Sequence, residues 1–216
     1  MRDLILPTAR FSPVQRIHAN QKAILFDVMD TLVADPFFRG FHADLFGFSS
    51  VKQLFEVKDQ QSFLAFESGA ITEDEHFATY FCDRRPVDGA KIRSYLSSRY
   101  EWKEGMKELC IELRDAGILM AAFSNYPAQW APLVEDAVAL STCVPWGYIS
   151  GERGHRKPSA EAFEGALAAV GCSPDEVVFV DDSRTNVEAA QALGIPSIRF
   201  ESEPLLRTAL KDFITW

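Results

Sequence analysis

AILFDVMDTLV, residues 23–33, begins with four apolar residues in a row and breaks at Asp27. A short continuous apolar run, rather than an alternating one, is the pattern of a strand buried on both faces, as in a parallel sheet covered by helices on either side. An acid at the exposed end of such a strand is placed for chemistry. Two residues further on, where a second acid would be most useful, stands Met29.

Downstream of residue 103 such strands return, alternating with helical segments. EGMKELCIELRDAG, residues 104–117, sets Met106, Leu109, Cys110 and Leu113 on one helical face and stops at Gly117. ILMAAF is read as a strand ending at Ser124-Asn125, APLVEDAVAL as a helix and WGYIS as a short strand. SAEAFEGALAAVG is a helix capped by Ser159, with Phe163, Leu167 and Val170 inward. VVFV is a strand ending at Asp181-Asp182, SRTNVEAAQALG a helix closed by Gly194 and Pro196, and PSIRF a last strand. This alternation predicts an α/β fold with a Rossmann-like parallel sheet.

Residues 35–102 break the alternation. They hold 14 of the 26 aromatic residues, and the spacing is helical: Phe55, Phe63 and Phe66 in one part, Phe77, Tyr80 and Phe81 in another. Thr72 followed by Glu75 is a capping box. The expected organisation is an N-terminal tail (1–20), an α/β core built from 21–34 and 103–216, and an α-helical insertion at 35–102.

Three strands thus end on polar residues: Asp27, Ser124-Asn125 and Asp181-Asp182. In an open parallel sheet the ligand crevice lies beyond the carboxyl ends of the strands, so these residues meet there. Converging carboxylates repel one another unless a cation sits among them. An all-oxygen ligand set suits Mg²⁺. Lys157, with the hydroxyl and amide of Ser124 and Asn125, completes a pocket for a phosphoryl group. Taken singly, each residue has a plain structural explanation: Asp27 a strand-end cap, Ser124-Asn125 a turn, Lys157 a solvated side chain, Asp181-Asp182-Ser183 a helix N-cap. The functional expectation rests on all four features occurring in order, each at the same end of its element.

Net charge is −9, which argues against broad nucleic-acid binding, since that usually needs a basic stripe. Cys82, Cys110, Cys143 and Cys172 are too far apart for a zinc or redox motif and are expected to be reduced thiols. The apolar run at Leu4–Leu6 is too short for a signal peptide, and no stretch approaches the ~18 apolar residues of a membrane helix, so a cytoplasmic location is expected.

ILFDVMDTLV, FSNY, HRKPS and VFVDDSRTN together resemble the four ordered motifs of the haloacid dehalogenase superfamily, and the insertion resembles its cap domain. The DVMDT form of the first motif, with DPF, SNYP, RKP and DDSRTNV, is similar to plant chloroplast flavin mononucleotide (FMN) hydrolase-like proteins. The resemblance implies a phosphatase acting on a small phosphorylated metabolite, FMN being a candidate, as a monomer or homodimer. Asp27 would be the nucleophile, forming an aspartyl-phosphate. Asp27, the Met29 carbonyl, Asp181 and Asp182 would hold Mg²⁺. Thr31, Ser124 and Asn125 would bind substrate, and Lys157 would neutralise nucleophile and phosphate. Arg184 and Asn186 are candidates for supporting roles, with helix-surface positions as the alternative.

Met29 departs from that pattern. Most phosphatases of the superfamily carry a second Asp there, which protonates the leaving alkoxide and then deprotonates water, help typically worth ~10²–10⁴-fold. Three possibilities follow: a phosphatase that takes its proton elsewhere, a metal-independent 2-haloacid dehalogenase-like hydrolase whose halide needs no proton, or a catalytically weak ligand-binding protein on the same fold. Asp30 would point elsewhere. The five Phe residues between 37 and 48 belong to the core of the insertion, or lend a ring or two to a planar substrate. The segment Asp35 to Phe41 is best placed to touch substrate, and His42, His76 and His155 are expected to be packing or surface residues.

Overall fold

Ala23–Phe26 forms β1, and every residue of it is buried. This computed structural model describes residues 21–216, and the tail expected at 1–20 lies outside the described residues. After β1 the chain runs through a 3-10 turn at Pro36–Phe38 and five helices: α1 (Phe41–Phe46), α2 (Val51–Val57), α3 (Gln60–Glu67), α4 (Glu73–Ala78) and α5 (Gly89–Ser97). It then alternates: α6 (Met106–Asp115), β2 (Leu119–Ser124), α7 (Ala131–Val138), β3 (Trp146–Ile149), α8 (Ser150–Arg153), α9 (Ala160–Val170), β4 (Val177–Asp181), α10 (Arg184–Ala192), β5 (Ser197–Arg199) and α11 (Glu203–Leu210). All strands pair in parallel, in the order β3-β2-β1-β4-β5. The α/β expectation is met.

The pleat divides the core in two. Ile24, Phe26, Met120, Ala122, Val178 and Val180 face one cluster, with Met106, Leu109, Cys110 and Leu113 of α6. Ala23, Leu25, Ala121, Phe123, Val177 and Phe179 face the other, with Phe163 and Ala166 of α9. That is the period of two expected of a sheet buried on both sides. Strand order reverses between β1 and β4, so the crevice between their carboxyl ends is where an open sheet places its ligand.

The insertion leaves and rejoins the sheet side by side: Ala34 N donates to Glu101 O (2.9 Å), Lys103 N donates to Leu32 O (2.8 Å), and Val33 pairs antiparallel with Trp102. Phe41, Leu54, Phe66 and Tyr80 belong to the same apolar cluster as Val28 and Leu32 after β1. The capping box forms as expected, with Thr72 N donating to Glu75 Oε2 and Glu75 N to Thr72 Oγ1. Tyr80 and Phe81, expected on one helix with Phe77, lie past its end, because α4 stops at Ala78. There the Thr79 hydroxyl donates to Glu75 O (2.7 Å), and Phe81 pairs with Lys58 instead.

Gly69, after α3, sits at φ +74°, and a Cβ there would lie 2.2 Å from the carbonyl oxygen of Gly151 in α8. Here the insertion backbone runs close against the core. Gly69→Ala is expected to cost ~1–3 kcal/mol, read as a lower melting temperature, because both the backbone angle and the contact oppose a side chain.

Candidate active site

The residues after β1 turn tightly: Leu32 N and Val33 N both donate to Val28 O, and Asp30 N donates to Val33 O (2.6 Å). Asp30 adopts φ +58°, a left-handed conformation that Asp tolerates better than most residues. Its Oδ1 accepts from Asp35 N (3.1 Å), so it braces the loop as well as lining the crevice. No described backbone amide donates to the Met29 carbonyl, which leaves that oxygen free.

Lys157 is the centre of the cluster. It is 1% exposed, and its Nζ donates to Asp27 Oδ1 (2.7 Å), Asp181 Oδ2 (2.7 Å) and Phe123 O (2.8 Å). Burial alone would lower its pKa, but the carboxylates of Asp27 and Asp181 outweigh burial and hold it above the usual lysine value. Burial raises Asp27 to about 7; Asp181 and Asp182 push the same way and Lys157 opposes them. Asp182 is raised too, by burial first and then by Asp181 and Asp30. Carboxylate oxygens of Asp27, Asp181 and Asp182 all lie within 4.8 Å of one another.

The neighbours fix this geometry. Both Asp181 oxygens are engaged: Oδ1 accepts from Ser183 N (2.8 Å) and Asn186 Nδ2 (3.2 Å), and Oδ2 from Lys157 and Asn186 Nδ2 (3.0 Å). Asp182 N donates to Thr31 Oγ1 (3.2 Å), so the hydroxyl of Thr31 links the first loop to the second acidic residue. Asn125, expected at the phosphoryl group, grips the Lys157 backbone: its Nδ2 donates to Lys157 O (2.8 Å) and its Oδ1 accepts from Lys157 N (2.7 Å). Ser124 is buried and its Oγ has no hydrogen-bond partner among the described residues. Arg184 turns outward to Glu188, and His155 is exposed. His76 is buried in the insertion, stacked on Phe66, where burial lowers it to about 4.

The cluster forms the floor of a cavity of about 330 Å³ whose walls come from the insertion and the β2–α7 loop. Phe37, Phe38, Phe41, Phe55 and Phe63 line it, together with Tyr80, Tyr100, Tyr126 and Trp130. The segment from Asp35 to Phe41 therefore does reach the crevice. Phe46 and Phe48 pack into the insertion instead. Two charged residues that the sequence did not single out, Lys58 and Glu67, also line the cavity, beside Asp35 of the expected segment. Burial raises Asp35 to about 6. Glu67 accepts from Arg156 Nε (2.5 Å), tying the insertion to the loop that carries Lys157. No periodicity or motif marks Lys58 and Glu67, since each is a single charge on or beside a helix.

Comparison with known proteins identifies the family. Residues 21–194 match the haloacid dehalogenase-like hydrolase family. The chain is 36% identical over 189 residues to the chloroplast flavin mononucleotide hydrolase 1 of Arabidopsis thaliana, covering 88% of this chain and 76% of that one. It is 27% identical over 94 residues to the phosphoglycolate phosphatase of Pseudomonas putida, covering 44% and 35%. A HAD family enzyme of Bacteroides thetaiotaomicron, solved in complex with magnesium and inorganic phosphate, shares the fold at 23% identity and a TM-score of 0.66, covering 84% of this chain and 95% of that one. No helix among the described residues is long and apolar enough to cross a membrane. A family match spanning most of the chain, on a sheet whose acids meet at its switch point, makes this chain a member of the haloacid dehalogenase-like hydrolases.

Proposed function

We propose that this hydrolase is a Mg²⁺-dependent phosphatase that cleaves a small phosphomonoester through an aspartyl-phosphate, with FMN, the substrate named for its Arabidopsis relative, as the first candidate. The observation that carries this reading is the set of buried Asp27 and Asp181 and half-buried Asp182 around Lys157. Three carboxylates against one ammonium leave negative charge in excess, and burial together with the neighbouring acids raises Asp27 and Asp182. A hard divalent cation fits that donor set. Asp27, Asp182 and the free Met29 carbonyl would hold it directly. Asp181, with both oxygens occupied, would act through water. Mg²⁺ would supply charge neutralisation at the phosphoryl oxygens.

The chain's own residues carry the rest. A carboxylate oxygen of Asp27 attacks phosphorus, the ester P–O bond breaks, and the alcohol leaves. Water then attacks phosphorus, the acyl-phosphate bond breaks, and inorganic phosphate and the Asp27 carboxylate are restored. Lys157 offsets charge on Asp27 and on the transferring group. The unpartnered Ser124 hydroxyl donates to a phosphoryl oxygen. Asn125 and Thr31 hold Lys157 and Asp182 in place. Met29 can move no proton, so the leaving alkoxide takes one from solvent or another group. The helical insertion acts as a cap that keeps bulk water away from the acyl-phosphate.

Phosphate release from a panel of small monoesters, including FMN, is expected to fall at least ~10²-fold with EDTA and to return with Mg²⁺. Met29 itself favours a second reading, halide displacement, since a halide leaves without a proton. Halide release from a 2-haloacid that survives EDTA would establish it and remove the phosphatase reading. The acidic trio weighs against it, as a metal-free reaction gains nothing from three converging acids, two of them buried.

A further inference from the structure

Among the described residues, Lys58 is the cation of the cavity that the chemistry at Asp27 does not use. It caps the C-terminus of α2, is 5% exposed, and lines the same space as Asp27 and Lys157. Its ammonium lies 4.0 Å from the centroid of the Phe63 ring, 4.5 Å from Phe37 and 5.3 Å from Tyr80. Asp35 and Glu67 act on it only through space, and no described residue accepts a hydrogen bond from it. Burial lowers it to about 8, so at neutral pH most of it still carries its charge. Aromatic faces attract a cation, but they leave its three N–H donors without acceptors. Lys58 lines the cavity, where an acceptor on a bound molecule can reach its donors.

We propose that Lys58 determines specificity: its ammonium donates to a carbonyl oxygen or ring nitrogen on the edge of a planar heteroaromatic group, carried on the alcohol side of the substrate and held against the cavity's aromatic walls. The proposal rests on the phosphatase reading of the same site. A neutral acceptor fits better than a second anion, because Asp35 and Glu67 line the cavity beside Lys58 and would repel full negative charge. The aromatic walls suit the faces of a flat ring system, and Lys58 is the donor left over for its edge.

The test is Lys58→Met, which keeps most of the side chain's length and removes its charge. Phosphate release is measured from FMN, whose ring is rich in carbonyl and nitrogen acceptors, and from phenyl phosphate, which has none. FMN binding is followed separately by flavin fluorescence, and folding by thermal melting. The expected result is a KM for FMN raised roughly tenfold or more and FMN binding weakened to match, with kcat/KM for phenyl phosphate within about twofold of wild type. The melting temperature is expected to be unchanged or higher. Equal losses on both esters, or FMN binding unaffected by the substitution, overturn the proposal. If the wild type releases phosphate from neither ester, the phosphatase reading fails and flavin binding decides on Lys58: binding lost in Lys58→Met upholds the role, and binding retained, or absent in the wild type, overturns it.

Discussion

Asp27→Asn is expected to abolish phosphate release, by on the order of 10⁴-fold or more, while making the metal-free protein more stable. The loss follows from the proposed nucleophile: an amide does not form the acyl-phosphate. The gain follows from burial. Asp27 sits among Asp181 and Asp182 with a single ammonium between them, and burial pushes its carboxyl from 3.8 to about 7. Between those values the folded protein keeps a proton on Asp27 that the unfolded chain has released. Wild-type stability without divalent cation therefore declines as pH rises through that window. Asn at position 27 removes one buried charge and leaves Lys157 paired with Asp181. About 1 kcal/mol of added stability, or ~2–4 °C in a domain of this size, is expected at mildly alkaline pH, shrinking toward mildly acidic pH. Thermal melts with EDTA, beside phosphate release with Mg²⁺, check both halves. Retained turnover would remove Asp27 from the chemistry. A melting temperature below wild type at alkaline pH would mean that the pair with Lys157 outweighs the repulsion.

The sheet was legible because its signal is local. Each core strand is a short apolar run ending in a polar residue, and the register of a parallel sheet then brings Asp27, Ser124 and Asp181 to one edge. The site floor followed from the same rule, since residues at strand ends are placed by the strands. What lies beyond depends on loop geometry. ILMAAFSN gives no hint that the Asn125 amide bonds the Lys157 backbone, because that needs the position of a loop 32 residues away. Tyr80 and Phe81 kept a helical spacing although the helix had ended at Ala78, since the same residues are buried either way. Lys58 was invisible for a related reason. Helical periodicity shows which faces of the insertion are apolar, but not which of its charged residues turns inward among the rings. Beyond the segment from Asp35 to Phe41, the cavity walls therefore come from the structure alone, and with them most of what bears on substrate choice.

Lys157→Met is expected to lower kcat by on the order of 10³-fold and, unlike Asp27→Asn, to destabilise the protein. The two substitutions differ in what they leave behind. Removing Asp27 takes away one of three like charges, whereas removing the ammonium strands Asp27, Asp181 and Asp182 together with no cation. Lys157 also satisfies Phe123 O, and its Nζ lies 4.8 Å from the centroid of the Phe123 ring and 5.3 Å from that of Phe179, so Met fills an apolar floor but leaves a buried carbonyl without its donor. Breaking a buried ion pair by deleting one partner costs ~3–5 kcal/mol, or roughly 6–20 °C in a domain of this size. The cost is expected to be largest at alkaline pH, where all three acids are charged, and to ease as pH falls and Asp27, already raised, takes up a proton. Saturating Mg²⁺ is expected to restore much of the stability, because the ion and the ammonium offset the same acids. It is not expected to restore kcat, because charge placed on the metal side of Asp27 does not replace the donor on the Lys157 side. Recovery of both together would mean that Lys157 is needed only to assemble the acids. Recovery of stability alone separates holding the site together from stabilising the charge that moves through it.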